Sequence, residues 1–586
     1  MRDVINVSRL KLMWKNKVRE AMRRQPIPDP LEHLDFHVRI EANCVTIESE
    51  ILSATYLPRS PIRFLAEKSK GLCRQLVIPS VKDALILQTL SDALWAEIKM
   101  KAPTKKSFFA PEDHQFSQNI RGHSSEYGPV AAWLAFQRAI FGFSRSKKFI
   151  VVTDIANYYD SISYDHLRNI LADFSLAREH SIDLLIYMLS CMLWQPDYMP
   201  KISVGLPQIH LDAPRLLAHT FLFEIDGFLS EIKGADFARF MDDIDIGVDS
   251  LPEARKILRD LDLALQTRQI RLNSGKTKIL SEQEARIHFR IRENILLDRL
   301  ADKIDAKMKG KLPLQQEQRK IEYALRAGLR RGVFSVGNGE KILKRLINLA
   351  RRTKVDIPPA IFSELLRDWV GVRALVLSWW QFSVNPETKL HLIAELLESG
   401  HLVDDAALMN LAVSLVIVRL PKTPAVESTL ERITNCLNET SAWGFYAKVW
   451  IFSKYGTADK LMSVIERTVS LWTTQECLSR LVAGQFPRFW GTPIRTKFEA
   501  ILRRNGNLSS GSVVEFHHEL VSHPSGYTSV RRFIDAPNPS LPNLISHSKF
   551  LMLLSLLNNP TIAPTAVSQL KRIHKRALSD PYYAAL

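Results

Sequence analysis

The stretch Ala238-Arg239-Phe240-Met241-Asp242-Asp243-Ile244-Asp245-Ile246 constrains this chain more than any other. Two adjacent carboxylates sit between apolar, strand-forming residues. The pattern predicts a hairpin with Asp242 and Asp243 at the tight turn and Phe240 and Ile244 on the flanking strands. Paired carboxylates at a solvent-reachable turn suit a hard divalent cation such as Mg²⁺, which takes oxygen ligands and is commonly shared with substrate phosphates. Asp is also an ordinary turn residue. The pair gains meaning only from what the rest of the chain supplies.

Several stretches supply partners. Lys148-Phe149-Ile150-Val151-Val152-Thr153-Asp154 is a continuous β-branched run ending in a carboxylate, the pattern of a buried strand. An acid there is costly unless paired or metal-bound. A helix is expected from about residue 164. Gly205-Leu206-Pro207-Gln208 reads as a loop feeding the helical stretch Arg215 to Leu222. Glu253 to Gln266 carries Ile257, Leu258, Leu261 and Leu265 on one helical face, which should lie on a sheet. Leu272 to Leu280 reads as a turn and then a strand. Its Lys276 is a phosphate contact, a proton donor or an ordinary turn lysine. Upstream, Leu72 to Ile78 reads as a strand stopped by Pro79, with a helix from about 81. Lys68, Lys70 and Arg74 lie on or before it. Arg makes forked bonds to phosphate, and charge equally protects an exposed edge.

The formal net charge of +17 favours a polyanionic partner, with nucleic acid first. Residues 301–354 hold 15 Lys and Arg against 5 Asp and Glu, which suits a phosphate backbone. Residues 9–24 predict a basic amphipathic helix, Val45-Thr46-Ile47-Glu48 a short strand, and Arg121-Gly122-His123 a polar loop. From about residue 290 helical signals dominate, and beyond 365 the short Trp-bearing helices have the lengths of an α-solenoid without a clean period. Asp580-Pro581-Tyr582-Tyr583 is expected as an exposed tail. Five scattered cysteines without CxxC spacing argue for reduced thiols, a cytoplasmic location and no structural zinc. The N-terminus lacks an apolar signal core, and no run of about 18 apolar residues predicts a membrane span.

Taken in order, these pieces resemble the fingers and palm of reverse transcriptases, over roughly residues 10–300. Thr153 to Ile162 resembles the family's first catalytic motif, Gly205 to Pro214 its second, Phe240-Met241-Asp242-Asp243 its Tyr-x-Asp-Asp box, Asn273 to Ile279 its lysine-bearing motif, and Arg74-Gln75-Leu76-Val77 its fingers strand. The resemblance implies an α+β class, an antiparallel sheet with helices over 1–290, and the helical signals beyond it predict a basic thumb-like segment over 291–365 and an all-α, HEAT-like C-terminal region over 366–586. It implies a DNA polymerase using dNTPs and two Mg²⁺ ions, with Mn²⁺ as the alternative. Asp154, Asp242 and Asp243 would be catalytic metal ligands, joined by the backbone carbonyl of Ile155. Arg74 and Lys68 would hold the triphosphate, Lys276 would protonate pyrophosphate, Tyr159 would exclude a ribose 2′-hydroxyl, and Gln208 would touch nucleotide or template.

Three positions in two motifs depart from the family pattern. Phe240 replaces Tyr, a mild change. Ile209 stands where the family usually has Gly, and Ala213 where it usually has Ser. A glycine there lets the template backbone approach closely, so template use is the part placed in question. With the helical C-terminal region, these departures resemble the bacterial defence-associated reverse transcriptases, including the abortive-infection group. That resemblance implies an antiviral role, homo-oligomers, and DNA made without a template and in some members attached to a protein tyrosine. Tyr582 and Tyr583 are the candidate priming residues. A structured RNA partner is also compatible. The alternatives are a conventional RNA-templated enzyme of a retroelement and a non-catalytic nucleic-acid-binding scaffold.

Overall fold

A computed structural model of the chain describes all residues except 110–128, 174–177, 197, 201, 524–527 and 537–544. The Arg121-Gly122-His123 stretch lies outside the described residues. Two sheets sit in the first half. β1 (Ile62–Ser69) and β2 (Leu72–Ile78) form an antiparallel ribbon. β3 (Phe149–Asp154), β4 (Asp236–Phe240), β5 (Asp243–Val248) and β6 (Lys278–Ser281) form a four-stranded antiparallel sheet in the order β4-β5-β3-β6. The β-branched run of β3 takes the interior place, between β5 and β6, where both faces are covered.

The helix Leu251–Gln266 packs on the sheet through Ala254, Ile257, Leu261 and Leu265. Its start is fixed by Ser250, whose side chain accepts the Glu253 N–H. The helix Asp212–Phe221 is almost wholly buried beneath the same core. One expected strand is corrected. Val45-Thr46-Ile47-Glu48 lies in the helix Ile40–Leu52, because Cys44, Ile47 and Ile51 recur at helical spacing and bury one face.

From Glu282 onward the described residues form helices and helical turns, with no further strand among them. Many helices pack on the next but one. Gly339–Thr353, Arg373–Trp380, Asp405–Ile417 and Ala442–Tyr455 make one row. Pro359–Asp368, Pro386–Glu398 and Pro424–Cys436 make a second. Each helix of the second row opens on a proline, which suits the first turn because its missing N–H needs no partner there.

The helical region reaches back to the N-terminal segment. Arg480 forks onto Asp29 (Nε to Oδ2, 2.6 Å) and Asp35 (Nη1 to Oδ2, 2.8 Å), and Leu31 and Leu34 share a core with Ala483, Val513 and Phe516. The C-terminus is also packed, correcting the expected exposed tail. Tyr582 and Tyr583 are buried, with Tyr583 against Phe550 at 4.1 Å and its hydroxyl 3.0 Å from His547 Nδ1. Asp580 is held at 2.7 Å by the buried Lys454. No helix among the described residues is long and apolar enough to cross a membrane.

Candidate active site

The β4–β5 hairpin forms as the alternation requires, with one adjustment. Phe240 pairs with Asp243, so the two-residue turn is Met241-Asp242 and Asp243 opens β5. Met241 takes a left-handed conformation, φ 57°, which a non-glycine residue adopts only where its surroundings hold it. Arg239 supplies that hold. Its Nη1 donates to the Met241 carbonyl at 2.9 Å, while Nε and Nη2 fork onto Asp226 at 2.7 and 2.5 Å. Both members of the pair are fully buried.

β3 and β5 run antiparallel in a register that places Asp154 opposite Asp243. Asp154 is 7% exposed. Its Oδ2 lies 2.5 Å from Lys276 Nζ, and its Oδ1 is buried without a hydrogen-bond partner. The Asp154 carbonyl accepts the Asn273 N–H at 2.8 Å, which fixes the Lys276 turn against the end of β3. Thr153 and Thr277 share a hydroxyl contact at 2.6 Å beside it. Asp242 and Asp243 are half-buried. Burial, with Asp154 adding to it, raises the Asp242 carboxyl above its ordinary value. Asp243 is pushed up to about 6, by burial first, with Lys341 opposing and Asp242 and Asp154 adding to the rise.

Among the described residues, no group of three or more His, Cys, Asp and Glu side chains gathers as a preformed metal site. Lys276 serves as the counter-charge on Asp154. The chemistry of the set nevertheless fits a hard cation. Its donors are all oxygens, and Asp154 Oδ1 is a buried carboxylate oxygen with nothing to satisfy it.

The other expected residues surround this hairpin. Ile155 is buried directly after Asp154. Tyr158 anchors the next turn through its hydroxyl on the Ala218 carbonyl. Tyr159 is half-buried, 6.0 Å from it ring to ring. The Tyr159 carbonyl accepts the Leu206 N–H at 2.8 Å and the Ile162 carbonyl the Gly205 N–H at 2.8 Å, so the Gly-Leu-Pro-Gln loop is laced to this turn. Gly205, at φ +107°, needs the freedom of glycine there. Gln208 Nε2 donates to Asp160 Oδ1 at 3.2 Å, and its carbonyl accepts the Val77 N–H at 3.1 Å. Arg74 and Lys68 are exposed on the ribbon, and the Arg74 charge acts on both Asp242 and Tyr159. Ile209 lines a small cavity of about 50 Å³ with Lys17, Gln88 and Arg215. Gln25 Nε2 donates to the His210 carbonyl at 3.2 Å beside it. Tyr582 and Tyr583 belong to the C-terminal helical core described above.

Lys341 was not legible from sequence as a neighbour of this site. It comes from the helix Gly339–Thr353 and sits 4.3 Å over the Trp133 ring, which in turn packs on Phe240 at 5.2 Å. Asp245, two residues after Asp243, is buried with an unpartnered Oδ1. The alternation of β5 could have suggested it, since Asp243 and Asp245 share one face.

Residues 67–323 match the family model of reverse transcriptase (RNA-dependent DNA polymerase). No curated protein matches the chain. Among solved structures, apo telomerase from Candida tropicalis is 10% identical, covering 78% of this chain and 72% of that one, with a TM-score of 0.26. Telomerase from Candida tropicalis with a fragment of telomeric RNA is 12% identical, covering 70% and 67%, at 0.28. The Candida albicans enzyme with such a fragment is 11% identical, covering 76% and 66%, at 0.28. These likenesses are too slight to bear on function, and the family match does not depend on them. Residues 67–323 form a reverse-transcriptase domain, and with it the chain carries the machinery of an RNA-directed DNA polymerase.

Proposed function

We propose that the chain extends DNA by nucleotidyl transfer at Asp154, Asp242 and Asp243, with two divalent ions as cofactors. The register that sets Asp154 against Asp243, one residue from Asp242, carries this reading. Asp154 and Asp242 would hold both ions, the Ile155 carbonyl would assist, and Asp243 would support. When bound, such a pair activates the attacking hydroxyl and offsets charge on the leaving pyrophosphate.

The chain's own residues do the rest. Lys276 turns from Asp154 Oδ2 and gives its proton to a pyrophosphate oxygen; its side chain is 69% exposed and free to move. Arg74 grips the triphosphate, with Lys68 adding charge. Tyr159 lies under the sugar and excludes a 2′-hydroxyl, which selects dNTPs. Gln208 positions the nucleotide base. The helices of 291–365 act as a thumb, and the excess of Lys and Arg over residues 301–354 suits a nucleic-acid backbone.

Synthesis without a template is the form of the reaction that the second motif supports. Ile209 fills the place of a glycine, and Gln25 braces the same loop from the N-terminal segment. The resemblance to defence-associated enzymes supports an antiviral role. A protein primer at Tyr582 or Tyr583 would require the C-terminal segment to unpack from Phe550, Tyr455 and His547.

The test is dNTP incorporation by the purified chain with Mg²⁺. Asp242→Ala combined with Asp243→Ala abolishes incorporation and leaves the circular dichroism spectrum intact; unchanged incorporation overturns the metal assignment. Low-complexity product made without added template supports the template-free reading, and a faithful copy of an added RNA overturns it.

A further inference from the structure

Among the described residues β1 has one strand neighbour, β2. A two-stranded ribbon is marginal alone, and its open edge leaves backbone groups unpaired. Here the helical region fills that edge. Arg63, Leu65 and Glu67, two apart, present their backbone groups in one direction. The Arg63 carbonyl accepts the Trp443 indole N–H at 2.8 Å. The Leu65 N–H donates to Asp405 Oδ2 at 2.7 Å, and the Glu67 N–H to Asp404 Oδ2 at 3.3 Å. Asp404 also caps the helix Asp405–Ile417 by accepting the Ala407 N–H.

Arg373 joins the parts. Its Nη1 lies 2.6 Å from Glu67 Oε2 and 3.3 Å from Asp404 Oδ1, and its other nitrogens donate to the carbonyls of Leu366, Arg367 and His401. The other oxygen of Glu67 accepts the Gly71 N–H at 2.8 Å, in the turn between the strands. Phe64 is fully buried against Trp443. The clamp therefore reaches from the edge of β1 to the ribbon's tip. Across the ribbon Ala66 pairs with Arg74, so Arg74 stands opposite the residue between the two clamped amides.

We propose that Asp404, Asp405, Arg373 and Trp443 are positioning residues for nucleotide addition. They fix the ribbon, and with it Arg74, where the triphosphate is taken; this rests on the reading of Arg74 given above. A group held by such a clamp is already in place when the nucleotide arrives, and a misplacement of about 1 Å can cost on the order of 10²-fold. The helical region is then part of the polymerase and not an appendage to it.

The test uses the full chain and single-nucleotide addition measured over a range of dNTP concentrations. Asp405→Ala and Trp443→Phe each raise KM for dNTP by about tenfold and change kcat by less than about threefold. Asp405→Asn keeps an oxygen acceptor and restores most of the KM. Hydrogen exchange at the Leu65 amide quickens in Asp405→Ala while the helix Asp405–Ile417 stays protected, a readout that needs no nucleotide. An unchanged KM in the folded Asp405→Ala variant overturns the proposal, and so does unchanged exchange at Leu65. Arg74→Ala separates the two readings. If it leaves KM unchanged while Asp405→Ala raises it, the Arg74 assignment fails and the clamp stands. If Arg74→Ala raises KM and Asp405→Ala does not, the clamp alone fails.

Discussion

Lys276 Nζ lies 2.5 Å from Asp154 Oδ2, so the carboxylate that ends β3 already has a cation beside it. That hydrogen bond raises the Lys276 ammonium above its ordinary value, against the smaller effect of burial. The group is protonated at neutral pH and competes for the oxygen a divalent ion would take. Lys276→Met removes the competitor and the proton donor together. The Mg²⁺ concentration for half-maximal activity should fall, while kcat drops about 10²-fold. A Mg²⁺ titration of single-nucleotide addition checks both, and unchanged kcat would count against the proton-donor role.

Asp242 and Asp243 are adjacent but not equivalent. Asp242 occupies the turn, whereas Asp243 starts β5 with its carboxyl pushed up to about 6, chiefly by burial. Asp242→Asn should lower kcat by about 10³-fold, the effect of losing several kcal/mol of metal-assisted stabilisation. Asp243→Asn should cost about tenfold, one step of 1.4 kcal/mol. Steady-state kinetics at saturating dNTP and Mg²⁺ separate the two, and equal losses would show that Asp243 is a full ligand.

The Arg239–Asp226 pair is fully buried and holds the hairpin turn through the Met241 carbonyl. Asp226→Asn strands a buried guanidinium, and breaking such a pair costs about 3–5 kcal/mol. Thermal unfolding should show the loss. The double change Asp226→Leu with Arg239→Met should recover part of the stability, yet not the activity, because nothing then supports the turn.

These side-chain assignments were unequally legible. β3 and the hairpin are local patterns of alternation and run length, so the residues announce them directly. The helix Ile40–Leu52 was misread because Val45, Thr46 and Ile47 are β-branched; the spacing of Cys44, Ile47 and Ile51 carried the better signal. Lys341 reaches the site through the stacking of its helix on Trp133, which no local pattern encodes. Tyr582 and Tyr583 find partners at Tyr455, His547 and Phe550. Terminal position suggested exposure, and tertiary packing overrode it. The prolines opening Pro359–Asp368, Pro386–Glu398 and Pro424–Cys436 marked the two-row array, but their uneven spacing hid it from a search for a fixed period.

Acid should loosen the join between the N-terminal segment and the helical region. Burial alone would raise Asp29, but the Arg480 guanidinium and, less strongly, His33 hold it well below its ordinary 3.8. A carboxylate depressed in the folded state stabilises fully above its unfolded value and loses that contribution as pH falls toward the folded one. Urea midpoints should therefore hold down to about pH 4.5 and drop between there and about pH 2. Asp29→Asn should start lower and change less over the same range. Parallel curves for the two proteins would assign the acid sensitivity elsewhere.

The grip of Arg480 on Asp29 and Asp35 has a consequence for how the protein is made. The first helices leave the ribosome long before Arg480, Tyr446 and Ser548, their partners in the helical region, have been synthesised. Chains emerge from the N-terminus at roughly 5–20 residues per second. The segment around Asp29 and Asp35 and the β1 edge must therefore wait, unpaired, until these partners have been made. A chain cut short before Arg373 would expose the strand edge that the finished protein covers, a feature that invites aggregation. The helical region closes on the segment around Asp29 and Asp35 only after Arg480 and Ser548 have emerged.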